Sequence, residues 1–596
     1  MSVGSIIKYQ VSFKKGVEKM SKCGLVSLYF LLFLSVLFAQ PIAMPLLVNG
    51  EEREPLRIIQ EGPHILVDQQ ALCLAIEAQS WSNPSTGGIT TQRNNRFSVV
   101  FPAKDFGMLD GKMLALDVPS RWEDGAYFSS LAFLATVFEL QWTLTGDALH
   151  LTVPPLREPV YSPRVQLLLQ LLDQGGFVVQ SGKIVQAFPL EYLASRYAPD
   201  ANGNNAQNPY LVFLVPPAPG QAFSNNYPFS YRLREDEVLL LVGTTPPACA
   251  YFSYRSYLLN RCVDEKGNRQ KVFASLGDTV NIQDFQNIPF STSPFEKPVV
   301  VISAADRFVA ESVRQTLLCA GFPPDYIFQD IIPSEIVRMG LEPQHDELIF
   351  LQRQAIFHDS AQKTAFLQNP PGLVFRLTPT WESCPDPYPT PLLQPRGTGK
   401  TEMALANSLD TLQQKILEAY PDYVPTLLKT TLWLCDGFSA IQNLENVIGE
   451  VRDTLYLRSE PFSLPASGDA FLVVFGVNHP ATGKATYSNF SIYSWQFLNG
   501  LGGISNAHYS GTAEQWLEDD PLSPYLYVWK VSRNAGESEN CLVVPPDAIP
   551  YGIPDNHPAF IGFRSYLEPE TGVGPSMEEI LLPRVLFFHR PTSPED

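Results

Sequence analysis

A unit of about sixty residues occurs twice near the amino end, and this doubling constrains the fold more than any other feature of the chain. Asn49-Gly50 and Asp110-Gly111 open the two copies, and at the same offset Ala71-Leu72 answers Ala132-Phe133 and Trp81 answers Trp142. Asn-Gly and Asp-Gly are hairpin-turn dipeptides because both positions accept left-handed backbone. The copies, 49–101 and 110–153, close on strand-like runs, Phe97 to Phe101 and Leu149 to Val153. Residues 45–155 are therefore expected to form a β-rich module of two related units, with Trp81 and Trp142 in equivalent positions.

Upstream, Leu25 to Ala39 is an unbroken run of apolar and small residues, preceded by Lys14, Lys15, Lys19 and Lys22. A basic flank, an apolar stretch too short to span a bilayer comfortably, and Leu37 and Ala39 at cleavage-site spacing describe a secretory signal over residues 1–39. An uncleaved anchor is the alternative, and Met20 is a second plausible start. The expected location is extracellular or in the cell envelope, with no membrane span once the signal is removed. Residues 1–39 hold five lysines and one glutamate, so the rest of the chain carries 37 basic against 60 acidic side chains, a formal charge of −23. Such a surface repels nucleic acid and anionic headgroups. An envelope or extracellular component is the expected partner.

The remainder reads as an α+β multidomain chain, with a larger mixed α/β body behind the duplicated module. Ser162-Pro163 opens a helix ended by Gly175-Gly176, so 156–200 is expected to be a helical linker. A mixed α/β domain follows over 205–395, with strands at Tyr210 to Val215, Val238 to Val242 and Val299 to Ser303 and a helix from Phe308 to Ala320 capped by Asp306. The proline-rich Pro385 to Pro395 precedes an α+β part, 396–596, either a separate domain or continuous with the one before it. There, helices are expected over Glu402 to Tyr420 and Tyr423 to Cys435, and strands over Ala470 to Val477 and Leu526 to Val531. Seven cysteines follow the signal, an odd number with no metal-ligand spacing, so no metal site is expected and the cofactor is left unknown. Cys249 and Cys262 are the pair to test for a disulfide.

The second copy, from Leu109 through Gly125-Ala126-Tyr127-Phe128 and Leu131 to the hairpin of Trp142, resembles the copper amine oxidase N-terminal-like domain, a secreted β-rich accessory module. The resemblance covers 45–155 only and implies an envelope-facing accessory or stalk element. It implies no oxidase: Asn226-Tyr227 is followed by Pro228, and no His-x-His copper pair exists.

Chemistry is concentrated in one loop. Asn478, His479, Lys484 and Tyr487 follow the apolar run Ala470 to Val477, and His508 is a nearby partner of the same kind. His can serve as a base and Lys or Tyr as an electrostatic partner, so these five are the candidate catalytic residues of a secreted hydrolase. Loop-pinning hydrogen bonds are the structural alternative, and His479→Ala discriminates the two. Tyr251, Tyr254 and Tyr257 are candidate ligand-binding residues if they form an aromatic platform, and core residues otherwise. Arg396 to Thr401 mimics a phosphate loop but has Gln394 where its first glycine should stand, so a helix cap at Thr401 is expected instead. With no hydrolase motif in view, action by binding through the larger body is the leading expectation.

Overall fold

The computed structural model describes residues 40–596 apart from 83–87, 95, 157–158, 188–200, 206, 222–228, 383, 466, 537–538, 546–551, 556 and 592–596. The signal-like run lies outside the described residues. The chain divides into a smaller unit, made of residues up to Ser80 with Val100–Gly107 and Leu114–Pro155, and a larger one of Trp81–Val99, Met108–Met113 and Leu156–Asp596.

The smaller unit is built on a seven-stranded sheet, in the order Gln141–Thr145, Ala148–Thr152, Ile42–Val48, Glu51–Glu61, His64–Asp68, Ala126–Ser130, Arg121–Glu123. A strand running into a capped helix occurs twice. His64–Asp68 leads into Gln69–Ala75, where the Asp68 carboxylate accepts from Ala71 N–H, and Ala126–Ser130 leads into Leu131–Phe138, where Ser130 Oγ accepts from Phe133 N–H. Each cap satisfies an amide that the first helical turn leaves without a partner. The two strands are antiparallel neighbours. The tryptophans part company: Trp142 lies on an edge strand of this sheet, whereas Trp81 lies on Gln79–Ser82 in a separate five-stranded sheet.

The larger unit is itself a duplication, which the sequence reading did not anticipate. Its first half pairs a five-stranded sheet (Phe177–Ser181, Gly372–Pro379, Val238–Thr244, Pro298–Ala304, Ile327–Ile331) with a sheet ordered Lys183–Ala187, Tyr210–Leu214, Glu347–Phe357, Cys249–Cys262, Arg269–Ser275. Its second half pairs Val424–Leu428, Arg584–His589, Ala470–Val477, Leu526–Ser532, Cys541–Val543 with Thr430–Leu432, Thr454–Ser459, Pro558–Tyr566, Tyr487–Ser494, Gly500–Ser505. Chain order within the sheets is the same in both halves. Both five-stranded sheets are antiparallel until their last pair, which is parallel. Each is covered on its outer face by helices: Pro163–Gln174 and Arg307–Cys319 pack Leu168 and Val313 against Leu240 and Ile302, and Ala406–Ala419 packs Leu412 and Ile416 against Val473 and Phe475. The mixed sheets and flanking helices make the protein α+β and multidomain.

Several expectations are met locally. Asp306 caps Arg307–Cys319, and the strand Ala470–Val477 has the expected bounds. Others are corrected. The segment read as a helical linker gives the first half a packed helix and one edge strand to each of its sheets. Tyr423 to Cys435 holds the strands Val424–Leu428 and Thr430–Leu432 rather than a helix. Pro425 and the β-branched Val424, Thr426, Thr430 and Thr431 suit a pleated edge better than a helical turn. Thr401 is not a cap; the helix starts at Ala406 after a short 3-10 turn. Cys249 and Cys262 are free thiols at opposite ends of one strand. At about 3.3 Å per residue that separates them by about 40 Å, far beyond the 4.4–6.8 Å or so that a disulfide bridges.

Candidate functional site

Of the residues expected to carry chemistry, Asn478, His479, Lys484 and Tyr487 are buried and His508 is exposed. His479 is only 4 % exposed, and its Nδ1 lies 2.9 Å from Glu402 Oε1, a carboxylate that also accepts from Thr482 Oγ1 and Leu581 N–H. Burial raises the Glu402 carboxyl, but His479 and these donors outweigh it and hold the group below its ordinary value. Lys484 Nζ donates to Glu568 at 2.7 Å and to Glu579 at 2.5 Å. Tyr487 is fully buried; its hydroxyl accepts from Asn205 Nδ2 and donates to Gln207 Oε1. Asn478 is buried and its amide N–H donates to Tyr525 O, while His508 stands exposed, its carbonyl accepting from Trp529 Nε1. His479, Lys484 and Tyr487 each have their own separate side-chain partners. The phosphate-loop mimic is likewise occupied by the chain itself, since the Thr398 and Gly399 amides donate to Glu579. Tyr251, Tyr254 and Tyr257 are all buried and offer no exposed aromatic platform.

What Tyr251 and Tyr257 do build is part of a layer between the halves. The outer faces of the two longer sheets meet there: the Tyr251 and Tyr566 rings lie 4.9 Å apart, and Tyr251 OH donates to Asp453 across the boundary at 2.8 Å. Two arginines sit in this layer at matching places. In the first half Arg353 pairs in register with Tyr210 on one neighbouring strand and Ser253 on the other. In the second, Arg564 pairs with Tyr456 and with Asn489. The matching continues through the rings that hold the guanidinium groups, with Arg353 over Tyr210 and Tyr257 at 5.4 and 5.3 Å and Arg564 over Tyr456 and Tyr493 at 5.6 and 5.3 Å.

Each arginine then reaches across to the opposite half. Arg353 Nη2 donates to the carbonyl of Gly449, and Arg564 Nη2 to that of Gly203. The two glycines are themselves equivalent, each seven positions before its half's tyrosine, Tyr210 or Tyr456, and each is the second of two left-handed residues: Asn202 and Gly203 at φ 54° and 57°, Ile448 and Gly449 at 46° and 82°. A β-branched residue in that region is strained, and Ile448 persists there because its surroundings hold it. A Cβ on Gly203 would come within 2.7 Å of Ile448 Cδ1, so glycine is needed at this approach.

These two loops, both arginines, Tyr210, Tyr456 and the apolar Phe273, Leu351, Leu434 and Ile448 line a cavity of about 30 Å³. Beyond the Gly449 loop lie two further buried groups, Glu450 and Asp453. Burial, helped by Asp436 and opposed by Ser275, Arg396 and Arg452, pushes the Glu450 carboxyl up to about 7. Burial likewise pushes Asp453 up to about 6 against its hydrogen bonds from Thr279 and Tyr251. One oxygen of each, Glu450 Oε1 and Asp453 Oδ1, has no hydrogen-bond partner. Where the first half's loop has amides, Asn204 and Asn205, the second has Glu450 and Val451, so the duplication is broken in charge.

This site was missed in the sequence although a signal exists. Tyr251 and Tyr257, like Tyr487 and Tyr493, are six positions apart on strands rich in Ser, and Tyr210-Leu211 recurs as Tyr456-Leu457. The loops between these strands differ in length, which hides the repeat from any fixed-offset comparison.

No family model matches the chain, and no curated protein matches it. Among solved structures, an uncharacterized protein from Burkholderia cenocepacia is similar over 72 % of this chain and 87 % of its own, at 12 % identity and a TM-score of 0.33. The structure of PNGF-II is similar over 93 % and 97 %, at 7 % identity and a TM-score of 0.16. Likeness at this level carries no argument about fold or activity.

Proposed function

We propose that the chain acts by binding, taking a ligand at the cavity between the two halves of its larger unit, with the smaller unit as an accessory element of an exported protein. The observation that carries this reading is the pair of buried arginines that line that cavity from their strands and donate to left-handed loops contributed by both halves, one of them holding Ile448 in a strained conformation. Strained backbone that surroundings hold in place gathers at ligand sites. Export rests on the basic flank and apolar run before Gln40, and amino-terminal sequencing of secreted material should read from Gln40. Among the described residues no helix is long and apolar enough to cross a membrane.

Thermal-shift screening of sugars, amino acids, organic acids and nucleotides against the full chain tests the binding reading. A ligand should raise the Tm of the native chain and lose its effect in Leu434→Trp, which fills the cavity from a partly exposed position. The absence of any such ligand, or a shift unchanged in the variant, refutes the reading. A second reading, hydrolysis by Glu450 and Asp453, is favoured by their raised carboxyls and unpartnered oxygens. It ranks lower because neither residue lines the cavity. Turnover of a bound ligand, lost in Glu450→Gln, is its test.

A further inference from the structure

Burying a guanidinium costs several kcal/mol unless a counter-charge compensates it, and for five other buried arginines of this unit the chain supplies one. Arg232 pairs with Glu347, Arg255 with Asp330, Arg261 with Asp346, Arg376 with Glu237, and Arg452 with Asp278 and Asp436. Arg353 and Arg564 break the pattern. Each is 3 % exposed, and neither has a carboxylate partner among the described residues. Arg353 donates to one carbonyl and its buried Nε has no acceptor; Arg564 donates to one carbonyl and the Tyr493 hydroxyl. Arg533, a further buried arginine held by neutral oxygens, is bonded to three carbonyls and lies outside this cavity.

The surrounding phenols do not neutralise the pair. Burial raises Tyr210, Tyr257, Tyr456 and Tyr493 above their ordinary value, so all are uncharged near neutrality. Glu450 does not neutralise it either. A carboxylate facing either cavity guanidinium would be held down, whereas Glu450 rises to about 7, and the arginines that act on it are Arg396 and Arg452. The layer therefore holds two guanidinium groups with no carboxylate among the described residues bonded to either, since Asp453, pushed up only to about 6, is bonded to Tyr251 and Thr279, and both guanidinium groups line the small cavity, where their N–H groups suit an acid group.

Resting on the binding reading above, we infer that this cavity recognises the carboxylate of a small monocarboxylic acid, its two oxygens met by Arg353 and Arg564 and its apolar body by Phe273, Leu351, Leu434 and Ile448. The duplicated architecture suits this arrangement, because a carboxylate has the same two-fold symmetry as the pair of arginines that faces it. Cation–π stacking on the tyrosines fixes the guanidinium planes without consuming their charge.

The test is calorimetric titration of the full chain with propionate and its neutral analogue propionamide at constant ionic strength. Propionate should bind saturably and propionamide about 10- to 100-fold more weakly, the difference that a charged hydrogen-bonded contact makes. Arg353→Met and Arg564→Met should each weaken propionate by a similar factor. The native-chain comparison decides the matter even if either variant fails to fold. Equal binding of the two compounds, or propionate binding unchanged in both arginine variants, overturns the inference. If neutral ligands bind and Leu434→Trp abolishes them, the broader reading survives and the carboxylate falls; if nothing binds, both fall.

Discussion

Replacing Glu450 by Gln should change how stability depends on pH, in a direction set by burial. In the folded chain the carboxyl is pushed up from 4.5 to about 7. Below pH 4.5 it is protonated both folded and unfolded, and the native environment carries no penalty. Between 4.5 and 7 the unfolded chain releases the proton and the folded chain keeps it, so stability falls as pH rises, by about 1.4 kcal/mol per pH unit. Across that window the loss is about 3 kcal/mol, an order-of-magnitude figure, and above 7 it is complete. Gln at this position can keep a hydrogen bond to Ser275 Oγ, 2.9 Å away in the native chain, and cannot ionise. Urea unfolding at half-unit steps from pH 4.5 to 8, followed by tryptophan emission, should give a falling native curve and a variant curve flatter by one proton's slope. Asp453, pushed up to about 6, contributes a similar fall over the lower part of the window in both proteins and leaves the difference untouched. Parallel curves would mean that Glu450 is ionised in the folded chain, and the account of the buried layer would be wrong.

His479→Ala should now cost stability, about 1–3 kcal/mol by urea unfolding, because it removes a buried partner of Glu402; a neutral effect would restore the exposed-base expectation. Lys484→Met should be harsher, about 3–5 kcal/mol, since it strands Glu568 and Glu579 without their cation, and soluble expression with an unchanged urea midpoint would contradict this. Thiol titration in denaturant without reductant should count all seven cysteines beyond residue 39 as free, and a count of five or fewer would reveal a disulfide that the structure does not contain.

Local signals were legible where one element decides them. Asp306 and Ser162 announce helix starts because a cap needs only the four residues around it, and Ala470–Val477 reads as a strand because both of its faces are covered. The polar loop after that strand misled for the opposite reason. Density of functional side chains looks the same whether they face a substrate or one another, and only the fold brings Glu402, Glu568 and Glu579 up from distant segments to engage His479 and Lys484. The tyrosine run showed the converse. Tyr251 and Tyr257 read as either an aromatic binding platform or core; both are buried, in a layer whose other members, Arg353 and Arg564, lie on strands far away in sequence. Neither arginine has a local motif, and their equivalence emerges only from strand register.

The inferred ligand and the titration of Glu450 are coupled through the chain itself, because Gly449, whose carbonyl holds Arg353, is the residue before Glu450. A carboxylate entering the cavity adds negative charge to a layer in which burial and Asp436 already keep Glu450 from ionising against the pull of Ser275, Arg396 and Arg452, and so raises the Glu450 carboxyl further. Linkage is reciprocal: whatever the ligand does to the proton, the proton does to the ligand. A monocarboxylic acid is itself ionised throughout pH 6 to 8, so any change in its affinity over that range reports the protein. Propionate should therefore bind more tightly at pH 6 than at pH 8 in the native chain, with the change centred near 7. In Glu450→Gln, fixed in the neutral state, the affinity should stay at its pH 6 value across the range. An equal fall in both proteins would assign the titration to another group and separate the cavity from Glu450.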